Sequence, residues 1–139
     1  KIDDKNYRTY CVMGDGELQE GSVWEAAMAA SNYRLDNLCA IIDRNKLQID
    51  GSTENVMALE PLAEKWSSFG WNVVEIDGHD HNDIIDAFAI ARATIGQPTL
   101  VLANTVMGKG VKSIENDNKW HGKVPSKDDL DKFLNELYC

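Results

Sequence analysis

The 139-residue chain lacks long hydrophobic runs and has few basic residues. Its apolar runs are about six residues long, whereas a membrane-spanning helix needs about 20, so we expect no membrane partner. Lys and Arg number 14 against 23 Asp and Glu, which gives a net charge of −9. Nucleic-acid binding requires stripes of basic side chains, and this charge balance argues against such a partner.

Cysteine is also scarce. Cys11, Cys39 and Cys139 are odd in number and lack the spacing of metal sites or redox motifs. Cys11 and Cys39 fall in apolar runs that we expect to be buried strands. The chain does not open with the basic and apolar segments of a secretory signal. These features indicate reduced thiols and predict a cytoplasmic protein.

Apolar residues make up 43% of the chain, enough for the core of one domain, residues 1–139. The patterns predict strands over residues 7–13, 37–43, 71–76 and 98–104. They predict helices over residues 20–33, 61–69, 83–95 and 127–138. Alternating strands and helices indicate an α/β fold with a doubly wound, mostly parallel sheet and helices on both faces. Ligands of such folds bind beyond the carboxyl ends of the strands.

Two motifs follow two of these strands. Gly14-Asp15-Gly16 follows the first strand, and Asn45 follows the second, with 28 residues between Gly16 and Asn45. A carboxylate and an amide oxygen at one sheet edge are hard ligands, as a magnesium ion holding a diphosphate requires. Gly16 lets the backbone approach an anion, and the next helix would point its amino end toward it. Because the net charge repels a diphosphate, a metal ion and the backbone amides of a helix must hold it locally.

Each candidate also has an ordinary structural interpretation. A lone Gly-Asp-Gly is usually a turn. Ser22 and Glu25 match a helix capping box, and Glu20 near a helix start is common dipole compensation. His79 and His81 are interpreted as part of a solvated loop that caps the next helix, and we leave them outside the site. His121 is a lone histidine in a loop, and the sequence around it does not show whether it is a surface residue or a site residue.

The surroundings of the motif resemble the transketolase form of the thiamine diphosphate signature. The likeness runs from Gly14 through Ala26 and continues in Asn45-Lys46-Leu47-Gln48-Ile49-Asp50-Gly51, Asp77-Gly78-His79-Asp80 and Trp120-His121-Gly122-Lys123. It covers almost the whole chain. The ending soon after His121 is similar to the amino-terminal subunit of split bacterial transketolases.

The resemblance implies a set of site residues. The divalent metal, Mg²⁺ or Ca²⁺, would be held by Asp15, Asn45 and the backbone carbonyl of Leu47. Thiamine diphosphate would contact these three residues together with Gly14, Gly16, Ile49 and His121. Catalytic roles would belong to Glu20, Glu25 and His121, the two glutamates relaying protons between the cofactors of a dimer. Arg44 departs from the pattern, since many thiamine enzymes have a second Asn there, but it lies outside the metal set.

By the same resemblance, the chain is the diphosphate-binding half of an enzyme that transfers a two-carbon ketol unit between ketose and aldose phosphates, as in the pentose phosphate pathway. The pyrimidine half of the site would come from a partner subunit, in a homo-oligomer such as a dimer or in a heterotetramer. Elements that usually precede the motif are missing, so we expect an incomplete domain, truncated at its amino terminus. Alone, it should be inactive.

Three alternatives stay open. One is a related thiamine enzyme, such as deoxyxylulose-phosphate synthase or an oxo-acid dehydrogenase component. The contexts of Glu20 and His121 favour transketolase over these. Another is a non-catalytic signalling domain of flavodoxin-like fold, in which Asp15 would accept a phosphoryl group or bind magnesium. The last is an assembly module that only supports its partner.

Overall fold

A four-stranded parallel sheet forms the centre of the chain, in a computed structural model that describes residue 1 and residues 3–138. Its strands are β1 (Thr9–Gly14), β2 (Leu38–Arg44), β5 (Asn72–Asp77) and β6 (Thr99–Asn104). Two further strands, β3 (Leu47–Gln48) and β4 (Gly51–Ser52), pair with each other outside this sheet. The helices are α1 (Gly21–Asn32), α2 (Thr53–Val56), α3 (Leu62–Ser68), α4 (His81–Ala93) and α5 (Lys127–Leu137). Short 3₁₀ helices cover Asp15–Gln19 and Asn118–Trp120.

The order of the strands is β1-β2-β6-β5, and every neighbouring pair is parallel. Gly14 is paired with Asp43, and Arg44 is paired with Asn104. The carboxyl ends of β1, β2 and β6 therefore lie side by side at one edge. The predicted parallel α/β sheet is confirmed, and this edge is where such folds bind ligands.

Helices cover both faces of the sheet, as predicted. Since side chains alternate along a strand, neighbouring residues of β2 and β6 enter two different cores. On the face covered by α1 and α3 the buried residues include Ala27, Ala30, Ala40, Ile42, Leu62, Trp66, Leu100 and Leu102. On the face covered by α4 they are Cys39, Ile76, Ala87, Ala91, Val101 and Ala103.

Strand β1 forms an edge of the sheet, because β2 is its only neighbour among the described residues. Its first four residues are exposed, Val12 to the extent of 72%. The expectation that Cys11 is buried was therefore wrong, although Cys39 in the central strand β2 is buried. The apolar pattern of β1 identified a strand but carried no information about its place in the sheet. Cys139 lies outside the described residues.

The starts of α1 and α4 bear on two predictions about helix capping. Helix α1 begins at Gly21 with Glu20 as its N-cap and no side-chain cap, so the predicted capping box of Ser22 and Glu25 is wrong. Helix α4 begins at His81, where the side chain of Asp80 accepts hydrogen bonds from two backbone N–H groups. This confirms the capping role given to the histidine-containing loop. In the described part of the chain, no helix is both long and apolar enough to cross a membrane.

No strand or helix was predicted between the strand over residues 37–43 and the helix over residues 61–69. This segment contains the antiparallel hairpin β3–β4 and the single helical turn α2. Near the carboxyl end, α5 packs Phe133 edge-to-face on Trp120, with ring centroids 5.0 Å apart. That contact joins α5 to the segment that carries His121.

Candidate functional site

A cleft of about 440 Å³ lies at the carboxyl ends of β1 and β2. Its walls come from the 3₁₀ helix after β1, the β3–β4 hairpin and the loop that contains His121. The lining residues are Gly14, Asp15, Gly16, Glu17, Glu20, Asn45, Leu47, Gln48, Ile49, Asp50 and His121. Of the predicted site residues, Glu25 is the one that does not line it.

Asp15 lies at the bottom of this cleft and is only 1% exposed. Its Oδ2 accepts two hydrogen bonds, from Nη1 of Arg44 at 2.8 Å and from the backbone N–H of Lys46 at 2.7 Å. Within the described part of the chain, Oδ1 accepts none. One carboxylate oxygen is therefore held by the protein, and the other is available to a ligand in the cleft.

The loop after β2 folds around this carboxylate. Oδ1 of Asn45 accepts the backbone N–H of Leu47 at 2.9 Å, which fixes the amide side chain beside its own backbone. Between them, Lys46 has a positive φ of 66°, a conformation that costs a non-glycine residue on the order of 1 kcal/mol or more. The strained turn is what directs the N–H of Lys46 to Asp15.

Arg44 is a site-building residue that the sequence reasoning left outside the metal set. Its side chain is 2% exposed and is surrounded by acceptors. Besides Asp15, its Nη1 donates to Oγ1 of Thr53 at 2.8 Å, and its Nη2 donates to Glu54 at 2.8 Å and Glu60 at 2.7 Å. The signal in the sequence was an arginine at the end of a mostly apolar central strand, where burial requires paired charges.

Gly16 lies against the hairpin. A Cβ atom placed on Gly16 would be 3.2 Å from the Cβ of Gln48, closer than almost all real contacts of this kind. Gln48 in turn accepts a hydrogen bond at 2.7 Å from Gln19, which closes the 3₁₀ helix onto the hairpin. Gly16 thus packs closely against the hairpin and lines the cleft. That its backbone approaches an anion stays a prediction.

His121 and Ile49 lie at the mouth of the cleft. Ile49 is 70% exposed, and its carbonyl accepts a hydrogen bond at 3.1 Å from the side chain of Asn118. His121 immediately follows the 3₁₀ helix that contains Asn118, so this bond brings the imidazole to the rim. The structure thus places His121 beside the motif residues, which the sequence alone left undecided.

The two predicted relay glutamates are placed differently. Glu20 is exposed and lines the cleft at the start of α1. Glu25 is exposed on α1, and its side chain is outside the set of residues that line the cleft. A relay role for Glu25 therefore requires a group from outside this chain.

The cleft is lined by acidic side chains. Four carboxylates line it, those of Asp15, Glu17, Glu20 and Asp50, and the described lining contains no Lys or Arg. Within the described residues no three His, Cys, Asp or Glu side chains are grouped as a metal site, which is consistent with a predicted set that has a single carboxylate. An anion would be repelled here unless a cation accompanied it.

The residues present fit a metal-bound diphosphate. Asp15 offers a free carboxylate oxygen, and the Asn45 side chain and the Leu47 backbone supply further oxygens at the cleft wall, all of the hard type that Mg²⁺ and Ca²⁺ prefer. The cleft volume lies within the range of small-molecule sites, about 300–1,000 Å³.

Comparison with known families agrees with this geometry. The family described as "Transketolase, thiamine diphosphate binding domain" matches residues 2–137. The chain belongs to the transketolase family. The transketolase signature proposed from the motif around Asp15 is thereby confirmed, as is the thiamine diphosphate-binding character of the domain.

Several relatives of this transketolase domain are named as transketolase subunits. It is 47% identical over 137 residues to a subunit of the apulose-4-phosphate transketolase of Phocaeicola vulgatus, with 99% of this chain and 49% of that protein covered. It is 49% identical over 106 residues to the 6-deoxy-6-sulfo-D-fructose transketolase subunit SqwG of a Clostridium species, with 76% of this chain and 38% of that protein covered. Human transketolase is 39% identical over 137 residues, which are 99% of this chain and 22% of the human protein.

Solved structures show the same fold. The crystal structure of the transketolase from Campylobacter jejuni superimposes with a TM-score of 0.88 at 31% identity, covering 96% of this chain and 21% of that one. The transketolase domain described here spans half or less of the length of these curated relatives.

Proposed function

We propose that this chain is the diphosphate- and metal-binding half of a ketol transferase, and that a second polypeptide or segment supplies the pyrimidine half. The observation that carries the proposal is the single cleft in which Asp15, Gly16, Asn45, Leu47 and His121 meet. Bound thiamine diphosphate would supply an electron sink for a two-carbon carbanion. The chain's own residues would bind and orient the diphosphate and position groups at the substrate.

In this proposal Asp15, Asn45 and the carbonyl of Leu47 hold Mg²⁺ or Ca²⁺. The backbone of Gly14 and Gly16, which carry no side chains, would contact the diphosphate. The metal has a second purpose in this acidic cleft, because it offsets the carboxylates that would otherwise repel the phosphates. Binding of the cofactor should therefore depend strictly on a divalent cation.

The groups at the rim would lie near the reacting part of a bound cofactor. Ile49 would cover the thiazolium ring with an exposed apolar side chain. His121 would contact the diphosphate and the sugar, and Glu20 would hold or move a proton near the cleft. Glu25, which is exposed outside the cleft, would take part in the relay only once a second subunit packs against α1.

The need for a partner is supported by the relatives. Two of them are named as subunits, and the chain spans 49% and 38% of their lengths. A homo-oligomer, such as a dimer, or a heterotetramer would place the pyrimidine domain of one chain over the cleft of another, in a cytoplasmic enzyme of carbohydrate metabolism. One of these relatives is named for a sugar phosphate and the other for a sulfonated sugar. The proposal therefore covers anionic ketose and aldose substrates as a class, including the sugar phosphates of the pentose phosphate pathway.

The signalling alternative is disfavoured by the position of Asp15. A phosphoryl acceptor must be open to attack, whereas this carboxylate is 1% exposed and one of its oxygens is occupied by Arg44 and Lys46. The contacts are those of a fixed ligand.

Reconstitution tests the proposal. The purified chain, a pyrimidine-domain polypeptide of a split transketolase, and their mixture would be assayed for ketol transfer with thiamine diphosphate, Mg²⁺ and a panel of ketose and aldose phosphates. We expect activity only from the mixture, lost with Asp15→Ala in this chain. Ketol transfer by the chain alone would overturn the half-site proposal, and full activity of the Asp15→Ala mixture would overturn the assigned site.

A further inference from the structure

Arg44 connects the bottom of the cleft to a segment outside it. Its guanidinium bonds Asp15 on one side and Glu54 and Glu60 on the other. Neither glutamate lines the cleft. The path from Glu60 to Asp15 therefore consists of two charged hydrogen bonds through one buried arginine.

The contact with Asp15 selects one oxygen. Arg44 and the N–H of Lys46 both donate to Oδ2, at 2.8 and 2.7 Å. Two donors on the same oxygen stop the carboxylate from rotating about its terminal bond, so Oδ1 keeps one orientation toward the cleft. A metal ligand held in this way is already in place before the ion binds.

Charge alone would make an arginine beside a metal ligand unfavourable, because a guanidinium repels a cation. The structure offsets this. Glu54 and Glu60 both bond Nη2, so the cluster with Asp15 contains three carboxylates against one guanidinium. Two net negative charges remain, which a divalent cation neutralises.

We propose that Arg44 is a positioning residue for the metal-binding carboxylate of Asp15, and that Glu54 and Glu60 act on metal affinity through Arg44 without touching the metal. The inference rests on the proposed function, since it needs a cation at Oδ1. It goes further by assigning the departure from the usual thiamine-enzyme pattern a role in the site. It also extends the site to Glu54 and Glu60. In relatives that have an arginine at the position of Arg44, substitutions at these two glutamates should weaken metal binding.

Mn²⁺ provides the probe. Binding of Mn²⁺ to the chain in the presence of thiamine diphosphate would be measured by the loss of the free-ion electron paramagnetic resonance signal, for the wild type and for Arg44→Gln, Arg44→Lys and Glu60→Gln. The control is Arg8→Gln. Arg8 is half-buried and donates to backbone carbonyls at the amino ends of the strands, away from the cleft. Thermal unfolding of each variant reports whether it folds.

We expect Arg44→Gln to weaken Mn²⁺ binding about ten- to hundredfold. Arg44→Lys keeps the charge and should recover part of the loss. Glu60→Gln changes a half-exposed side chain, so it should fold normally and weaken binding on the order of threefold. Arg8→Gln should lower the unfolding temperature without changing Mn²⁺ affinity.

Wild-type affinity in both Glu60→Gln and the folded Arg44 variants would overturn the inference and leave the proposed function intact. Tighter binding by Arg44→Gln would also overturn it, since charge repulsion would then outweigh positioning. If Arg44→Gln does not fold, Glu60→Gln and Arg44→Lys decide. Failure of the wild type to bind Mn²⁺ with the cofactor would contradict the proposed function itself, and the inference with it.

Discussion

The backbone N–H of Lys46 lies 2.7 Å from Oδ2 of Asp15, and Lys46 reaches this position with a φ of 66°. The left-handed turn is the local cost of bringing Asn45 and Leu47 to the cleft wall. A β-branched residue tolerates this conformation least, and glycine tolerates it best.

This predicts opposite effects for two substitutions at one position. Lys46→Gly should leave the free energy of unfolding unchanged or raise it by up to about 1 kcal/mol. Relief of the backbone strain raises it, and the greater freedom of the unfolded chain offsets part of that gain. Lys46→Val should lower it by about 1–2 kcal/mol. Urea unfolding measures both. Equal losses in the two variants would show that a left-handed turn does not form here.

A second prediction concerns Gly16, with Gly21 as its control. Gly16→Ala should displace Gln48, since the new Cβ would be 3.2 Å from it, and should weaken binding of Mg²⁺–thiamine diphosphate about tenfold. A Cβ on Gly21, at the start of α1, meets nothing within 4 Å. Gly21→Ala should raise stability by up to about 1 kcal/mol with unchanged affinity. Calorimetry on both variants tests this, and unchanged binding by Gly16→Ala would contradict the dependence of the site on the close packing of Gly16 against Gln48.

The two strand cysteines should differ in reactivity. Burial raises the pKa of the Cys39 thiol to about 11 from its ordinary value of 9.0, whereas Cys11 is exposed on the edge strand. At pH 8 a thiol reagent should modify Cys11 and leave Cys39 intact until the chain unfolds, as peptide mass spectrometry can locate. Modification of Cys39 in the folded chain at a rate similar to Cys11 would refute its buried position in β2.

The same thiol predicts a dependence of stability on alkaline pH. Since the folded pKa of Cys39 lies above the ordinary value, its contribution to stability is constant below pH 9 and is lost as the pH rises toward about 11. The difference in unfolding free energy between wild type and Cys39→Ala should shrink over this interval. A difference that stays constant with pH would contradict the shift.

Two buried tryptophans form a further matched pair. Trp66 and Trp71 pack edge-to-face with centroids 4.8 Å apart, but only the indole of Trp71 donates a hydrogen bond, to Ala27 at 2.9 Å; that of Trp66 has no partner among the described residues. Both Phe substitutions leave a cavity. Trp71→Phe should cost about 1 kcal/mol more than Trp66→Phe, because it also loses a hydrogen bond. Equal losses in denaturant unfolding would count against this assignment.

Local patterns were enough to predict the four main strands, the helices on both faces and the meeting of Asp15 and Asn45 at one edge. They worked because apolar periodicity and strand ends are properties of short segments. The exposure of Cys11 was missed because it depends on strand order, which no local segment encodes. The contacts of Arg44 were missed because its partners Glu54 and Glu60 lie between residues 43 and 61, where no strand or helix was predicted.

The central claim is a metal-dependent half-site for thiamine diphosphate built on Asp15. Its most direct test is a calorimetric titration of the chain with thiamine diphosphate, with and without Mg²⁺, for the wild type, Asp15→Ala and the control Asp83→Ala, a carboxylate outside the cleft. We predict binding by the wild type and the control only when Mg²⁺ is present, and none by a folded Asp15→Ala. Equal binding without Mg²⁺ or by Asp15→Ala, or no binding by the folded wild type, would contradict the account.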